Sequence, residues 1–273
     1  MKAAKNTTNH QRIYNASLSK RQVALLAGWE RERRVSVTTE DIRRAVGADA
    51  AREVARRLVN KKVLERVARG TFLVRPLRSL SRPTTASTAA QAAALLQGKP
   101  YYLGGLWAVT FHRLTEQQHV SALDAFITGW KRSQRLSSAR ITFHRVDPAR
   151  LSYGVANAMI EGLQVQLSDP ERTLLDLFDT PSLAGNARTA LTLVTQALPR
   201  ADGAKLVEYA VRGSRHSTCQ RLGVLLERLG TAPRKLARLH AKTRETRSML
   251  SMLPGASRTG PFNRRWRVVE NDQ

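Results

Sequence analysis

Residues 38–74 carry, without interruption, the signals for a short helix, a turn, an arginine-rich helix and a β-hairpin, and no other stretch constrains the fold as tightly. Thr38 stands three residues before Asp41, so its hydroxyl and the Asp41 carboxylate can each satisfy an orphan backbone donor at a helix start. Gly47 supplies a stop after Ile42 and Val46, which predicts a helix from about Thr39 to Val46. From Asp49 the apolar residues Ala51, Val54, Ala55 and Leu58 fall at the i, i+3, i+4, i+7 positions of one buried face. Arg52, Glu53, Arg56, Arg57 and Asn60 project from the other face. Val63 to Val67 and Thr71 to Val74 are β-prone runs separated by Ala68-Arg69-Gly70, where glycine can take the positive φ of a tight hairpin.

Upstream, Ser19 to Arg31 reads as a further helix with Val23, Leu26 and Trp29 along one apolar edge. Three helices followed by a hairpin are expected to form a winged helix-turn-helix, a reader of double-stranded DNA. A helix laid in the major groove needs forked donors: Arg for guanine O6 and N7, Asn for adenine N6 and N7. Arg52, Arg56 and Asn60 follow one another at i, i+4 and i+8 and are the expected base readers. Arg43, Arg44, Lys61, Lys62 and Arg69 are expected to face phosphates, and Thr38, Thr39, Asp49, Arg57 and Thr71 complete the expected DNA-facing set. The competing reading is a solvated, arginine-rich face on an ordinary three-helix domain; the hairpin that follows weighs against it.

Charge widens the picture. Lys and Arg number 46 against 21 Asp and Glu, a formal net charge of +25, far more than solubility requires, which makes a polyanion the natural partner. Residues 1–82 hold 20 basic and 7 acidic side chains, and residues 212–273 hold 14 basic and 4 acidic, so a second basic concentration lies near the C-terminus. The hydrophobic share of 42% can build real cores over two domains. These are expected at 1–80 and 81–273, with the boundary near Ser81 in the Ser-, Thr-, Pro- and Arg-rich stretch from Arg75 to Thr88. Residues 1–16 read as a polar, basic arm. No run of about 18 apolar residues exists and the N-terminus lacks a signal-peptide core, so the expectation is a cytoplasmic protein with no membrane contact. Cys219 is the sole cysteine and is expected in the core, with no disulfide and no metal cluster.

The fold class expected is α+β, the winged helix being followed by a mixed α/β domain with a small sheet and several helices. That domain opens with the Ala-rich helix AAQAAALLQG, then Tyr101-Tyr102-Leu103 and a helix LWAVTFHRL ending near Leu114. Val120 to Thr128, Ala139 to Val146 and Leu163 to Leu167 are the strand candidates. Ser168 is expected to cap a helix in which Pro170 lies in the first turn and Glu171 near its positive end. Further helices are expected at 186–198, 202–211, 214–229 and 233–246, and a last strand around Trp266 to Val269. In the fourth of these helices Arg234, Arg238 and Lys242 fall on one line, and with Lys235 they form a candidate secondary basic patch; a merely solvated helix face reads as well.

Four pieces of the second domain resemble the AbiEi family of antitoxins from type IV, abortive-infection toxin-antitoxin systems. They are YYLGGLWAVTFHRLTEQ, LSDPERTLLDLFDTP, QRLGVLLERLG and PFNRRWRVVEN, in this order and spacing. The resemblance implies a bacterial protein encoded beside a nucleotidyltransferase-like toxin. It implies repression of the shared promoter, by cooperative binding to inverted repeats through the N-terminal domain, and opposition to the toxin through the C-terminal domain. It also implies that residues of both domains can touch DNA. A stand-alone regulator without a toxin is the alternative.

An enzyme finds little support in the residues. The six histidines form no H-x-H or H-E-x-x-H spacing, Gly104-Gly105 belongs to no phosphate-cradling pattern, and no serine lies in a G-x-S-x-G elbow. No catalytic residue and no cofactor is expected. An enzyme that modifies the toxin is the third and weakest reading.

Overall fold

The computed structural model describes residues 18–75, 86–116, 122–136, 139–246 and 248–272; the expected N-terminal arm and the boundary near Ser81 lie outside them. The architecture is α+β, with ten α-helices among the described residues. None of these helices is long and apolar enough to cross a membrane. The chain divides into two compact units. The first runs to Lys99 and includes 135–139 and 159–165; the second holds the remainder.

In the first unit, Ser19 starts α1 (Lys20–Arg31) with a capping box, its Oγ accepting from the Gln22 amide and its own amide donating to Gln22 Oε1 at 3.1 Å. Then come β1 (Ser36–Thr38), α2 (Thr39–Val46), α3 (Ala48–Asn60), β2 (Leu64–Ala68) and β3 (Thr71–Val74). The strands form an antiparallel sheet of order β1-β3-β2. Leu26, Trp29, Val37, Ile42, Leu58, Val63, Leu64 and Phe72 close the core between helices and sheet. The three-residue β1 is too short to show a period and escaped the sequence reading.

This unit does not stop at the hairpin. The Ala-rich helix α4 (Thr88–Leu96) packs against β2 and β3, and Glu65 of β2 explains why. Its carboxylate accepts from Arg75 Nη2 at 3.0 Å, the Ala86 amide at 3.1 Å and Gln91 Nε2 at 3.0 Å, and Gln91 is fully buried. A carboxylate so enclosed needs such partners, and one of the donors, Gln91, comes from beyond the composition shift.

Beyond Lys99 come β4 (Tyr101–Gly104), α5 (Gly105–Phe111), β5 (Ala122–Ile127), β6 (Gln134–Arg135), β7 (Arg140–Arg145), β8 (Val155–Ile160) and β9 (Leu163–Ser168); the sheet order is β6-β7-β5-β4-β9-β8, and all of these residues except Arg135, 159–160 and 163–165 belong to the second unit. Pairing is mixed: β4 is antiparallel to β5 and parallel to β9, and β5 is parallel to β7. The three strands expected from period-two alternation are present within two residues, and the run at Tyr101 is a fourth. The β8 strand was not anticipated, because VANAMI is half-exposed, rich in small residues and without clean alternation. Its turn to β9 uses Glu161 and Gly162, both at positive φ, where Asn-Gly or Asp-Gly is the usual signal.

After the sheet come α6 (Pro170–Asp179), α7 (Ala187–Ala197), α8 (Gly203–Gly213), α9 (His216–Arg228) and α10 (Ala237–Thr243), then a three-stranded sheet of β10 (Leu250–Ser251), β11 (Phe262–Asn263) and β12 (Val268–Val269) in the order β10-β12-β11. Leu174, Leu177, Val194, Leu206, Leu222, Leu225, Leu236, Leu239, Trp266 and Val268 fill their common core. Two expectations are corrected. The cap of α6 is Asp169, whose Oδ1 accepts from the Arg172 amide at 2.8 Å; Ser168 ends β9 and bonds Thr173 Oγ1 at 2.7 Å instead. The helix expected over 233–246 is a 3-10 turn, Pro233–Leu236, followed by the short α10.

Candidate nucleic-acid interface

Thr38 and Asp41 form the expected capping box at the start of α2. Thr38 Oγ1 accepts from the Asp41 amide at 3.2 Å, and the Thr38 amide donates to Asp41 Oδ2 at 2.7 Å. Burial pushes the Asp41 carboxyl up, but the bonds from Thr38 and Arg34 outweigh it and leave the group below its ordinary value. The Thr38 hydroxyl also donates to Asp41 Oδ2 at 2.6 Å, so it serves the helix start rather than an outside partner. Gly47, at φ +91, is at once the end of α2 and the start of α3, a one-residue turn that only glycine enters at low cost. The helices meet with Ile42, Val46, Ala51, Ala55 and Leu58 inside.

The opposite face of α3 is exposed, as the spacing required. Asp49, in the first turn near the positive end of the helix, and Arg52, Arg56, Arg57 and Asn60 all open to solvent. Arg52 and Asn60 are eight residues apart, about 12 Å along the axis. Sequence reasoning overlooked the role of Glu53. It binds Arg56 through two bonds, at 2.9 and 3.0 Å, and Arg57 through one at 2.7 Å. The hydrogen bonds from Arg56 and then Arg57 hold its carboxyl down to about 2. The i, i+3 and i, i+4 spacing was the signal that could have revealed it.

Pairing continues on α2, where Glu40 lies 2.7 Å from Arg43 and 3.7 Å from Arg44. Exposed pairs of this kind are worth about 0.2 to 1 kcal/mol, so a phosphate can displace the carboxylate. Lys61 departs from expectation: it is half-buried and its Nζ lies 3.2 Å from Gln22 Oε1 on α1. Lys62, left-handed at φ +57 where the chain leaves α3, is exposed, and neither it nor Arg52, Asn60 or Arg69 makes an ion pair or side-chain hydrogen bond within the described residues.

The hairpin is short. Ala68 pairs with Thr71, which leaves only Arg69 and Gly70 at the tip, and Gly70 takes φ +77. The tip is fastened to α2, because the Thr39 amide donates to the Gly70 carbonyl at 2.9 Å. Thr39 and the half-buried Thr71 therefore brace the hairpin, and Arg69 alone projects from its end.

The expected secondary patch does not form as one stripe. Arg234 and Lys235 lie exposed on the 3-10 turn and Arg238 on α10, but Lys242 turns inward. Its ammonium donates to the carbonyls of Ala210 at 2.9 Å, Val211 at 2.8 Å and Ser214 at 2.8 Å, saturating its three N–H groups on acceptors at the C-terminal end of α8. A cation at a helix C-terminus is also favoured by the dipole.

The second unit hides its own charged cluster. Arg172 and Asp176 are 1% and 2% exposed and bond at 2.9 Å; Asp176 also accepts from Tyr102 Oη at 2.8 Å and Arg150 Nη2 at 3.0 Å. Arg150 reaches Asp179 as well, at 3.0 Å. Burial drives Asp176 and Tyr102 above their ordinary values. The cluster is closed, so it joins α6 to the sheet rather than offering a site. Among the described residues no group of three His, Cys, Asp or Glu stands close enough to hold a metal ion.

The chain matches no family model and no curated protein at a significant level. Among solved structures its fold is similar to that of the RV2827C protein from Mycobacterium tuberculosis, with a TM-score of 0.63 and 17% identity, over 93% of this chain and 92% of that one. At this identity the likeness is one of fold.

Proposed function

We propose that residues 18–75 form a winged helix-turn-helix that binds double-stranded DNA, with α3 in the major groove and Arg69 at the tip of a short wing. The single observation that supports this best is the solvent face of α3, where exposed Arg52 and Asn60 stand on a helix braced by α2 through Gly47 and followed by a hairpin. Arg52, Arg56 and Asn60 are the base readers, once phosphates have drawn Arg57, Arg43 and Arg44 from their carboxylates. On this reading the chain is a cytoplasmic repressor of its own promoter, recognising inverted repeats. The four resembling pieces support the further role of antitoxin to a nucleotidyltransferase-like toxin, with no catalytic activity of its own.

The test is fluorescence anisotropy of the full chain on its upstream DNA and on a scrambled duplex, with competitor present. Selective binding is expected, and Arg52→Ala should lower discrimination by about 1 to 3 kcal/mol. Equal affinity for both duplexes overturns the repressor reading. For the antitoxin role, the chain should rescue growth of cells expressing the adjacent nucleotidyltransferase-like protein, and Arg52→Ala should rescue equally. Failure to rescue leaves a stand-alone regulator.

A further inference from the structure

Trp130 is 76% exposed, more than any other large apolar side chain among the described residues. It lies between β5 and β6 in the sequence Gly129-Trp130-Lys131-Arg132, within a stretch from Ala125 to Val146 that has no carboxylate. The Arg132 guanidinium stands 5.9 Å from the Trp130 ring centroid, and the Lys131 ammonium 5.0 Å from that of the half-buried Phe143 on β7. Arg140 and Arg145, at the two ends of β7, are exposed. An indole left in water forfeits most of the stabilisation that burial brings, and here the charged residues of its own stretch are all basic.

We propose that this loop binds a single-stranded nucleic acid. An unpaired base stacks on the indole, and its flanking phosphates meet Arg132, Lys131 and Arg145. Each chemical element of the patch has a counterpart in that ligand: a planar π-face for Trp130, a regular line of anions for the cations. A duplex offers the charge without the free base, since its bases are already stacked and a side chain must wedge them apart to reach one. An acidic peptide offers charge without the plane. A lipid surface requires more buried apolar area than one indole supplies. The inference stands on residues of the second unit and does not depend on α3 reading duplex DNA.

The experiment uses the full chain with labelled oligo(dT) and oligo(rU) twelve-mers, a duplex of equal length and arbitrary sequence, and vesicles of mixed phosphatidylserine and phosphatidylcholine. Trp130→Ala should weaken binding of the single strands roughly tenfold or more, while Trp130→Phe, which keeps a π-face, should remain within about threefold of the wild type. Duplex binding should be unchanged in both variants, as should the circular dichroism, because the side chain lies outside the core. Arg52→Ala should leave single-strand binding intact, so failure of the duplex reading is seen separately. Equal single-strand affinity in Trp130→Ala overturns the proposal. So does a loss on duplex as large as that on single strands, or vesicle binding that depends on Trp130.

Discussion

Gly223 of α9 lies under the indole of Trp266 so closely that a Cβ built on it would stand 2.3 Å from the ring. Gln220, one turn earlier on the same helix, donates through Nε2 to the Trp266 carbonyl at 2.9 Å. These residues come from two of the pieces that carry the family resemblance, and they interlock in one core. The other two pieces meet at Tyr102 and Asp176. Gly223→Ala should therefore destabilise the chain even though alanine is the better helix former by about 1 kcal/mol. Overpacking costs about 1 to 3 kcal/mol, and the far end of that range is expected, since the clash is with a ring that is 1% exposed. Urea denaturation would measure it, and an unchanged midpoint would show that the ring moves aside freely.

The buried pair on α6 gives a larger effect. Removing the Arg172 guanidinium leaves Asp176 enclosed with one cation fewer, and breaking such a pair costs about 3 to 5 kcal/mol. Arg172→Met should fall in that range by urea denaturation, while Tyr102→Phe, which removes one donor to Asp176, should cost about 1 kcal/mol. If both variants match the wild type, the cluster carries no stability.

How far the sequence foretold these features depends on range. Elements defined by contiguous signals are legible: the Thr38–Asp41 box, the Gly47 turn, the apolar stripe of α3, and the three alternating strands. Contacts between distant residues are not. The spacing of Arg234, Arg238 and Lys242 suggested one outward stripe, yet three carbonyls some thirty residues earlier draw Lys242 inward. The compact first unit runs on to Lys99 for the same reason, because Glu65 bonds Gln91 across a stretch whose composition reads as a linker.

Lys242 gives a test of that correction. If it caps α8, Lys242→Ala should cost about 1 to 2 kcal/mol, because three carbonyls lose a charged donor while water can reach some of them. It should leave duplex affinity and its salt dependence unchanged. A shallower salt slope without loss of stability would return Lys242 to the basic patch.

Cys219 supplies a dependence on pH. Its side chain is buried with Sγ 3.5 Å from the Ala210 carbonyl, and burial pushes the thiol from an ordinary value near 9 up to about 11. The folded state thus holds this proton more tightly than the unfolded state. The resulting stabilisation is complete below pH 9 and is lost as pH rises through about 11. Between those limits the wild type should lose stability more steeply than Cys219→Ala, whatever their difference at pH 7. Parallel curves would mean that the thiolate is tolerated in the core.

Glu53 sets the charge that α3 presents. With Arg56 and Arg57 both bonded to it and its carboxyl held to about 2, the triad stays ionised throughout the physiological range, so protonation cannot release the two arginines near neutral pH. Duplex binding should accordingly show no step from this group between pH 5 and 8. Glu53→Gln removes the charge that competes with phosphate. On a random duplex it should raise affinity and steepen the plot of log K against log salt by about 0.9, the release expected for one further phosphate contact. Affinity for the promoter should rise by about the same factor, since phosphate contacts carry no sequence information, and discrimination should stay unchanged. An identical salt slope in the wild type and Glu53→Gln would show that Arg57 does not face the duplex backbone.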